Sequence, residues 1–286
     1  RIGGLSGTGA VFLRKNGSTD DYYNVSADTS YAHARYLLIG LDSNGIFEIK
    51  NEFSNCNLLL YGFLSSSDVV MFTDFINVST GTTGSYVDVD ITAEVGSDTP
   101  TAAIVFSWEA SGFTGTSVYV RKNGSTDDRP ATVSAATADS IWAIVGVDGD
   151  HIFEQKISST ARDVYLMGYF KSNITMNTNG TDVSLTPTAA WTDLGTTNAG
   201  KSGVIYEVYN TSTTNYDYGL RKNNGTFPAL NDYLVYTGKV DLDASVFIQN
   251  IIPCDSGGIV EGYIENIAVD FYQMGTFTKG RIFHIN

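Results

Sequence analysis

From Tyr86 to Ile91 the chain reads "YVDVDI", with apolar positions separated by single polar ones. That period of two predicts a strand with one buried face, and Asp88 and Asp90 fall on the solvated one. The next stretch, "AAIVFSW" (Ala102 to Trp108), is continuously apolar and fits a central strand. "SVYVRK", "SIWAIVGV", "HIFEQKI" and "DVYLMGYF" follow. "AWTDL", "GVIYEVY", "YGLRK", "YLVYTGKV", "VFIQNI" and "GIVEGYI" run later in the same manner. Short strands separated by turn signals every eight to twelve residues or so predict an all-β chain of antiparallel sandwich type, jelly-roll or Ig-like.

The pattern repeats. "LRKNGSTDD" begins at Leu13, "VRKNGSTDD" at Val120 and a shorter copy, "LRKNNGT", at Leu220. A phenylalanine follows in "GIFEIK", "HIFEQK" and "SVFIQN" (Phe47, Phe153, Phe247). A glycine with an aromatic neighbour comes 15 residues after each: Gly62-Phe63, Gly168-Tyr169 and Gly262-Tyr263. Three tandem units of sandwich type are therefore expected, over 1–78, 79–186 and 187–286. Tyr86 lies well before Arg121 and Trp191 well before Arg221, but only 13 residues precede Arg14. The first unit is thus expected to lack its opening strands, and the closing "GRIFHIN" reads as an extra strand. Two explanations stand open. The natural chain extends upstream, or a neighbouring chain supplies the strands in a head-to-tail contact that builds filaments.

Composition narrows the partners. The net charge of −14 repels a phosphate backbone, so nucleic acid is not expected. The longest apolar runs are too short to span a bilayer as helices, so no membrane insertion is expected. A start at Arg1 is expected of a processed product, a fragment or a partial stretch of a longer chain.

Candidate chemistry is sparse. In the Arg-Lys-Asn stretch, Asn16-Gly17 and Asn123-Gly124 are turn dipeptides. The stretch reads as a strand and its turn, with a repeated sugar- or anion-binding loop as the other reading. Asp42, Asp148 and the Asp241/Asp243 pair precede the phenylalanines, and Asp148 with Asp150 is the candidate calcium ligand set, though EF-hand spacing is absent. No other cofactor is expected. His33, His151 and His284 have no zinc spacing, and no catalytic motif is present. No catalytic residue is assigned. Cys56 and Cys254 fall in what read as near-equivalent loops of the first and third units, with Arg162 at that place in the second. They are either free thiols or a bridge between neighbouring subunits. Among the Asn-X-Ser/Thr sequons, Asn24, Asn77, Asn173, Asn179, Asn210 and Asn224 are the glycosylation candidates.

The repeated "RKNGSTDD … IVGVD … IFEQ … VYLMGYF" pattern resembles the tandem β-sandwich modules of phage fibre and head-decoration proteins, and those of microbial surface proteins. The resemblance implies a structural or adhesive role with no conserved catalytic centre. The function expected is a non-enzymatic extracellular structural protein, on a virion or cell surface, part of a fibre, decoration, filament or sheath. Its partners would be copies of itself or other structural proteins of the assembly. The alternative is a carbohydrate-binding adhesin or receptor-binding module whose partners are surface glycans.

Overall fold

The structure, a computed structural model, describes residues 2–3, 9–22, 25–27, 37–52, 57–58, 60, 62–109, 116–132, 139–186, 190–194, 198–212, 214, 216, 218–225 and 246–278. Asn24, His33, Cys56, Asp241, Asp243, His284 and the closing "GRIFHIN" lie outside the described residues.

The chain is all-β, in antiparallel sheets. The first unit contains β1 (Ile2–Gly3), β2 (Gly9–Lys15), β3 (Val25–Ala27), β4 (Phe47–Asn51) and β5 (Asn57–Leu58). One sheet runs β3-β2-β4, and β1 pairs with β5. Next come β6 (Val69–Asn77), β7 (Val87–Asp90), β8 (Ala102–Glu109), β9 (Ser117–Lys122), β10 (Ala131–Thr132), β11 (Asp139–Gly146), β12 (Ile152–Ile157) and β13 (Arg162–Phe170). They make two facing sheets, β11-β8-β13-β6 and β10-β9-β12-β7. The last strands are β14 (Ile174–Asp182), β15 (Thr192–Asp193), β16 (Gly203–Asn210), β17 (Tyr218–Lys222), β18 (Val246–Pro253), β19 (Val260–Ile264) and β20 (Val269–Phe277). Their sheets are β14-β20-β16-β18 and β15-β19-β17.

The burial follows the sequence pattern. β12 alternates, burying Phe153, Gln155 and Ile157. β8 is central and buried on both faces. Ala103 and Val105 point into the second sandwich's own core with Val89, Val164 and Leu166. Ala102, Ile104 and Phe106 face a second core that also takes in Tyr22, Leu37 and Leu38 from the first unit and Ile248 and Ile252 from the third. A strand that serves two cores has no use for alternation, so "AAIVFSW" is apolar throughout.

The expected boundaries at 78/79 and 186/187 each fall just after a strand that hydrogen-bonds forward. β6 pairs with β13, and β14 pairs with β20. By sheet membership, these two strands open the units that follow them.

The third unit's register differs from the sequence expectation. Arg14, Arg121 and Arg221 pair across their sheets with Glu48, Glu154 and Glu261. Phe47 and Phe153 therefore correspond to Val260, one residue before Glu261, and not to Phe247. Fifteen residues after Val260 comes Gly275, which sits beside a β-bulge as Gly168 does. Gly262 instead opposes Leu220 within the sheet. Phe247 is a joint residue: it packs into the second unit's core, and its N–H donates to the Pro130 carbonyl at 3.2 Å. The same register separates the cysteines, since Arg162, the counterpart of Cys56, aligns with Val269 and not with Cys254.

Candidate functional site

The arginine and the asparagine of each Arg-Lys-Asn copy are spent within their own unit, while Lys15 Nζ reaches the Met71 carbonyl on β6 at 3.0 Å. Arg14 Nε donates to Glu48 at 2.6 Å, Arg121 to Glu154 at 2.8 Å and Arg221 to Glu261 at 2.7 Å. Next to them, Asn16, Asn123 and Asn223 donate through Nδ2 to Asp42, Asp148 and Asp255 at 2.7–2.8 Å. Each of those carboxylates also ties a tight turn. Asp148 Oδ1 accepts from the Asp150 and Ile152 N–H groups, and Asp255 Oδ1 accepts from Ile259. The Arg-Lys-Asn copies turn separately, closed by a bond to the lysine carbonyl, and these turns need a left-handed residue after the asparagine, supplied by Gly17, Gly124 and Asn224 (φ 83°, 78° and 54°).

The second half reaches out of its unit. Ser18 Oγ and the Thr19 N–H both donate to Asp74 Oδ1 on β6, at 3.0 and 2.7 Å. In return, Asp20 Oδ2 accepts the Phe75 N–H at 2.6 Å. The next joint repeats this geometry. Ser125 Oγ and the Thr126 N–H donate to Asn179 Oδ1 on β14 at 2.7 and 2.8 Å, and Asp127 Oδ2 accepts the Gly180 N–H at 2.7 Å. A close approach repeats as well. A Cβ on Gly40 or Gly146 would come within 2.8 Å of the Cβ of Met71 or Met176, with the Lys15 or Lys122 stem beside it. The first two copies are thus clasps that each grip the opening strand of the following unit. The acceptors Asp74 and Asn179 were not singled out as such from sequence, although "MFTD" and "MNTN" repeat 105 residues apart.

The third copy has lost the gripping groups. Gly225 stands where Ser18 and Ser125 stand, with the same turn bond from its N–H to the lysine carbonyl. The sequence has Phe227 in place of Asp20 and Asp127, and Pro253 in place of Gly40 and Gly146.

The joint between the second and third units carries more polar contacts. Gln249 bonds through its amide to both the N–H and the C=O of Ile144, covering the outer edge of β11. Arg129 pairs with Glu207 and Asp127 and lies 4.0 Å from the Tyr272 ring centroid. Burial works against the Arg129 charge, but Glu207 and Asp127 outweigh it and hold its pKa above the usual arginine range. Burial pushes the Glu207 carboxyl up, with Arg129 opposing.

The remaining candidates are placed as follows. Asp148 is committed to its turn and Asp150 is exposed. Among the described residues, no group of three or more His, Cys, Asp or Glu could hold a metal. Cys254 is a buried thiol in the core, donating to the Lys201 carbonyl at 3.0 Å, and burial raises its pKa. It lies in the protein core and not on an outer face that a neighbouring subunit could reach. Asn210 is a correction: its side chain is fully buried and bonded to Thr214 and Ser212, which leaves no room for a glycan in the fold. Asn173 uses its Nδ2, the glycan-bearing atom, to hold Asp68. Asn77, Asn179 and Asn224 are exposed.

The turn carboxylates predict an acid limb. Asn16 and the Ile46 N–H lower the Asp42 pKa. Burial opposes the drop at Asp148, where Ile152 and Asn123 outweigh it, and Ile259 leads it at Asp255. A folded pKa below the ordinary 3.8 means this stability is fully present above that value. It is lost as pH falls through the folded pKa. Asp148→Asn is therefore expected to flatten part of the fall in melting temperature below about pH 4, with Asp42 and Asp255 keeping the rest. Superimposable melting profiles of variant and wild type from pH 7 to pH 3 would refute this.

No family model matches the sequence, and no curated protein matches it. Among solved structures, the STIV MCP, a viral major capsid protein, aligns with 74% of this chain and 97% of its own, at 11% identity and a TM-score of 0.30. The CBM22-1-CBM22-2 tandem domain of Paenibacillus barcinonensis Xyn10C aligns with 77% and 97%, at 12% identity and a TM-score of 0.20. At these scores neither likeness carries a functional argument. Fold and site together define a class: antiparallel β-sandwich units in tandem, joined by a repeated clasp. No described helix is long and apolar enough to cross a membrane.

Proposed function

We propose that this is a non-enzymatic structural protein of an extracellular assembly, a subunit of a virion fibre or decoration or of a cell-surface filament or sheath. Its subunits associate by strand exchange onto the first unit. The observation that carries this is an apolar face left open there. Leu41, Leu58, Leu60 and Phe63 correspond to Val147, Val164, Leu166 and Tyr169, which form part of the second sandwich's core. Leu60 is 65% exposed against 0% for Leu166, and Phe63 is 53% exposed against 4% for Tyr169. Covering these side chains would contribute roughly 1.5–3 kcal/mol for each one fully buried. A partly exposed apolar strand face of this kind suits the addition of a further strand.

The repeated polar residues also support the reading. Arg14, Arg121 and Arg221 are each held by a glutamate, and the clasps hold one unit to the next, so the most conspicuous motif is spent on architecture. The extracellular setting rests on the sequence resemblance to fibre, decoration and surface modules. Sedimentation velocity tests the association. Wild type is expected to gain mass with concentration, and Leu60→Asp/Phe63→Asp, altered only at exposed positions, is expected to remain at 30.9 kDa. A wild type that sediments as a single 30.9 kDa species at every concentration defeats the proposal.

A further inference from the structure

The sequence holds five Asn-Gly pairs, at Asn16, Asn44, Asn123, Asn179 and Asn224. In such a pair the backbone nitrogen of the glycine can attack the side-chain carbonyl of the asparagine, because no Cβ on the second residue stands in the way. Among the described residues, Asn179-Gly180 alone has groups set around the reacting atoms. Asn179 Oδ1 accepts the Ser125 hydroxyl at 2.7 Å and the Thr126 N–H at 2.8 Å. A backbone N–H can only donate, so the atom facing Thr126 is the oxygen and not the amide nitrogen. Ser125 Oγ in turn accepts the Asp127 N–H at 3.0 Å, which leaves its own proton for Asn179. The Gly180 N–H donates to Asp127 Oδ2 at 2.7 Å, and Arg129 Nη2 fixes that oxygen from 3.0 Å. The register of β14 on β20 breaks between Met176 and Thr181, so the pair lies outside the ladder. Asn179 is exposed, so water reaches it.

The other pairs are held differently. Asn16 and Asn123 are gripped by the opposite atom: Nδ2 donates to Asp42 and Asp148, and nothing described donates to Oδ1. The glycine N–H groups of Asn44-Gly45 and Asn224-Gly225 bond to the backbone carbonyls of Asp42 and Lys222, which are no base for an amide proton. The first clasp shows what the cradle does when the charge is already present. Asp74 Oδ1 accepts Ser18 Oγ and the Thr19 N–H there, as Asn179 Oδ1 accepts from Ser125 and Thr126. The Thr19 N–H, followed by the Ser18 hydroxyl, lowers the Asp74 pKa, so these donors favour negative charge on this oxygen.

We infer that Asn179-Gly180 is a self-processing site, where the second clasp converts Asn179 to aspartate through a succinimide. Asp127 takes the proton of the Gly180 nitrogen as that nitrogen bonds to Asn179 Cγ. The charge that develops on Oδ1 falls on the Ser125 and Thr126 donors, which act as an oxyanion cradle. The tetrahedral centre collapses by breaking the bond from Cγ to Nδ2, which takes the proton from Asp127 and leaves as ammonia. One water then opens the ring. The two donors still polarise the Cγ carbonyl, so water adds at Cγ, the Gly180 nitrogen regains a proton, and the product is aspartate with its backbone intact. Nothing is oxidised or reduced: one amide and one water give one carboxylate and one ammonium ion. The second clasp thereby gains the carboxylate that the first has in Asp74, and the sequon at Asn179 loses the nitrogen a glycan would need. The chemistry is independent of how the subunits associate.

Peptide mapping by mass spectrometry, on full-length protein kept at neutral pH, tests this. Asn179 is expected to become aspartate about tenfold or more faster than Asn16, Asn44, Asn123 or Asn224 in the same sample. It should also convert faster in the folded protein than in protein held unfolded in urea, where the pair has only its sequence. Conversion already complete on isolation is the same result if the other four are still amides. Aspartate should outweigh isoaspartate in the fold, and the share of isoaspartate should rise in urea. Ser125→Ala removes one donor and should slow the folded protein by about tenfold or more. Asp127→Asn keeps an acceptor for the Gly180 N–H but not a base, and should abolish the advantage of the fold. If Asp127→Asn does not fold, Ser125→Ala and the comparison with urea decide. An Asn179 that is still an amide when other Asn-Gly pairs have converted overturns the inference, and so does faster conversion in urea than in the fold. A folded Ser125→Ala protein that converts at the wild-type rate overturns it too, because the cradle would then take no part.

Discussion

Arg129→Met is expected to destabilise the protein by about 3–5 kcal/mol, the range found when one partner of a buried ion pair is removed. Glu207 sits on β16 of the third unit with a side chain only 4% exposed, and Arg129 is its cationic partner. Without the guanidinium, a buried carboxylate is left with the Gln249 amide as a hydrogen-bond partner and the like charge of Asp127 nearby. It would have to keep an uncompensated charge or take up a proton. The loss should therefore be largest at neutral pH and shrink on acidification, because burial already raises the Glu207 pKa and a protonated acid no longer needs the arginine. The double variant Arg129→Met/Glu207→Leu removes the buried carboxylate as well and should recover most of the loss, the remainder being the Asp127 carboxylate left without its cation. Urea unfolding of the three proteins measures this. A single variant within about 1 kcal/mol of wild type would refute it, as would a double variant no better than the single. The pair spans two units, so the single variant should also split a common unfolding transition into two.

The sequence makes the strands legible because each strand's pattern reports its surroundings. Val87, Asp88, Val89 and Asp90 alternate because β7 has one core beneath it, and Ala102 to Phe106 do not because β8 has two. The copied Arg-Lys-Asn stretch was readable as a strand and turn, and the structure places it there. Its role as a clasp was not readable, because the partners Asp74 and Asn179 lie more than 50 residues away and gain meaning only once β6 and β14 are paired. The third unit misled for a definite physical reason. Its core position holds Val260 where the other units hold phenylalanine, and a phenylalanine needed at the joint, Phe247, stands 15 residues before another glycine. A spacing rule followed the wrong pair, and only hydrogen-bonded register could tell them apart. The Arg129–Glu207 contact left no trace in any motif, because it occurs at one joint and is not repeated.

Gly168→Ala is expected to cost about 3 kcal/mol, near the upper end for overpacking. The repeated glycine-aromatic pair reads from sequence as a landmark, but the glycine has a steric duty. At the bulge between Leu166 and Gly168, β13 presses against β6, and a Cβ on Gly168 would meet the Val70 carbonyl oxygen at 2.1 Å. A carbonyl in a paired strand cannot swing aside as a side-chain tip can, so β6 must move as a whole. Gly275 stands in the same relation to β14, where an added Cβ would come 2.5 Å from the Thr175 carbonyl oxygen, and Gly275→Ala should show a similar loss. Gly149→Ala is the control, because its added Cβ meets nothing within 4 Å and the cost should be near zero. Chemical denaturation measures all three. A Gly168→Ala loss no larger than that of the control would mean that the bulge yields. Because β6 also carries Asp74, the displacement should reach the clasp, and amide exchange should rise along Val69–Asn77 and at Thr19, whose N–H donates to that carboxylate. Faster exchange at β6 with no change at Thr19 would separate the two and show that the clasp holds its strand independently of the sheet.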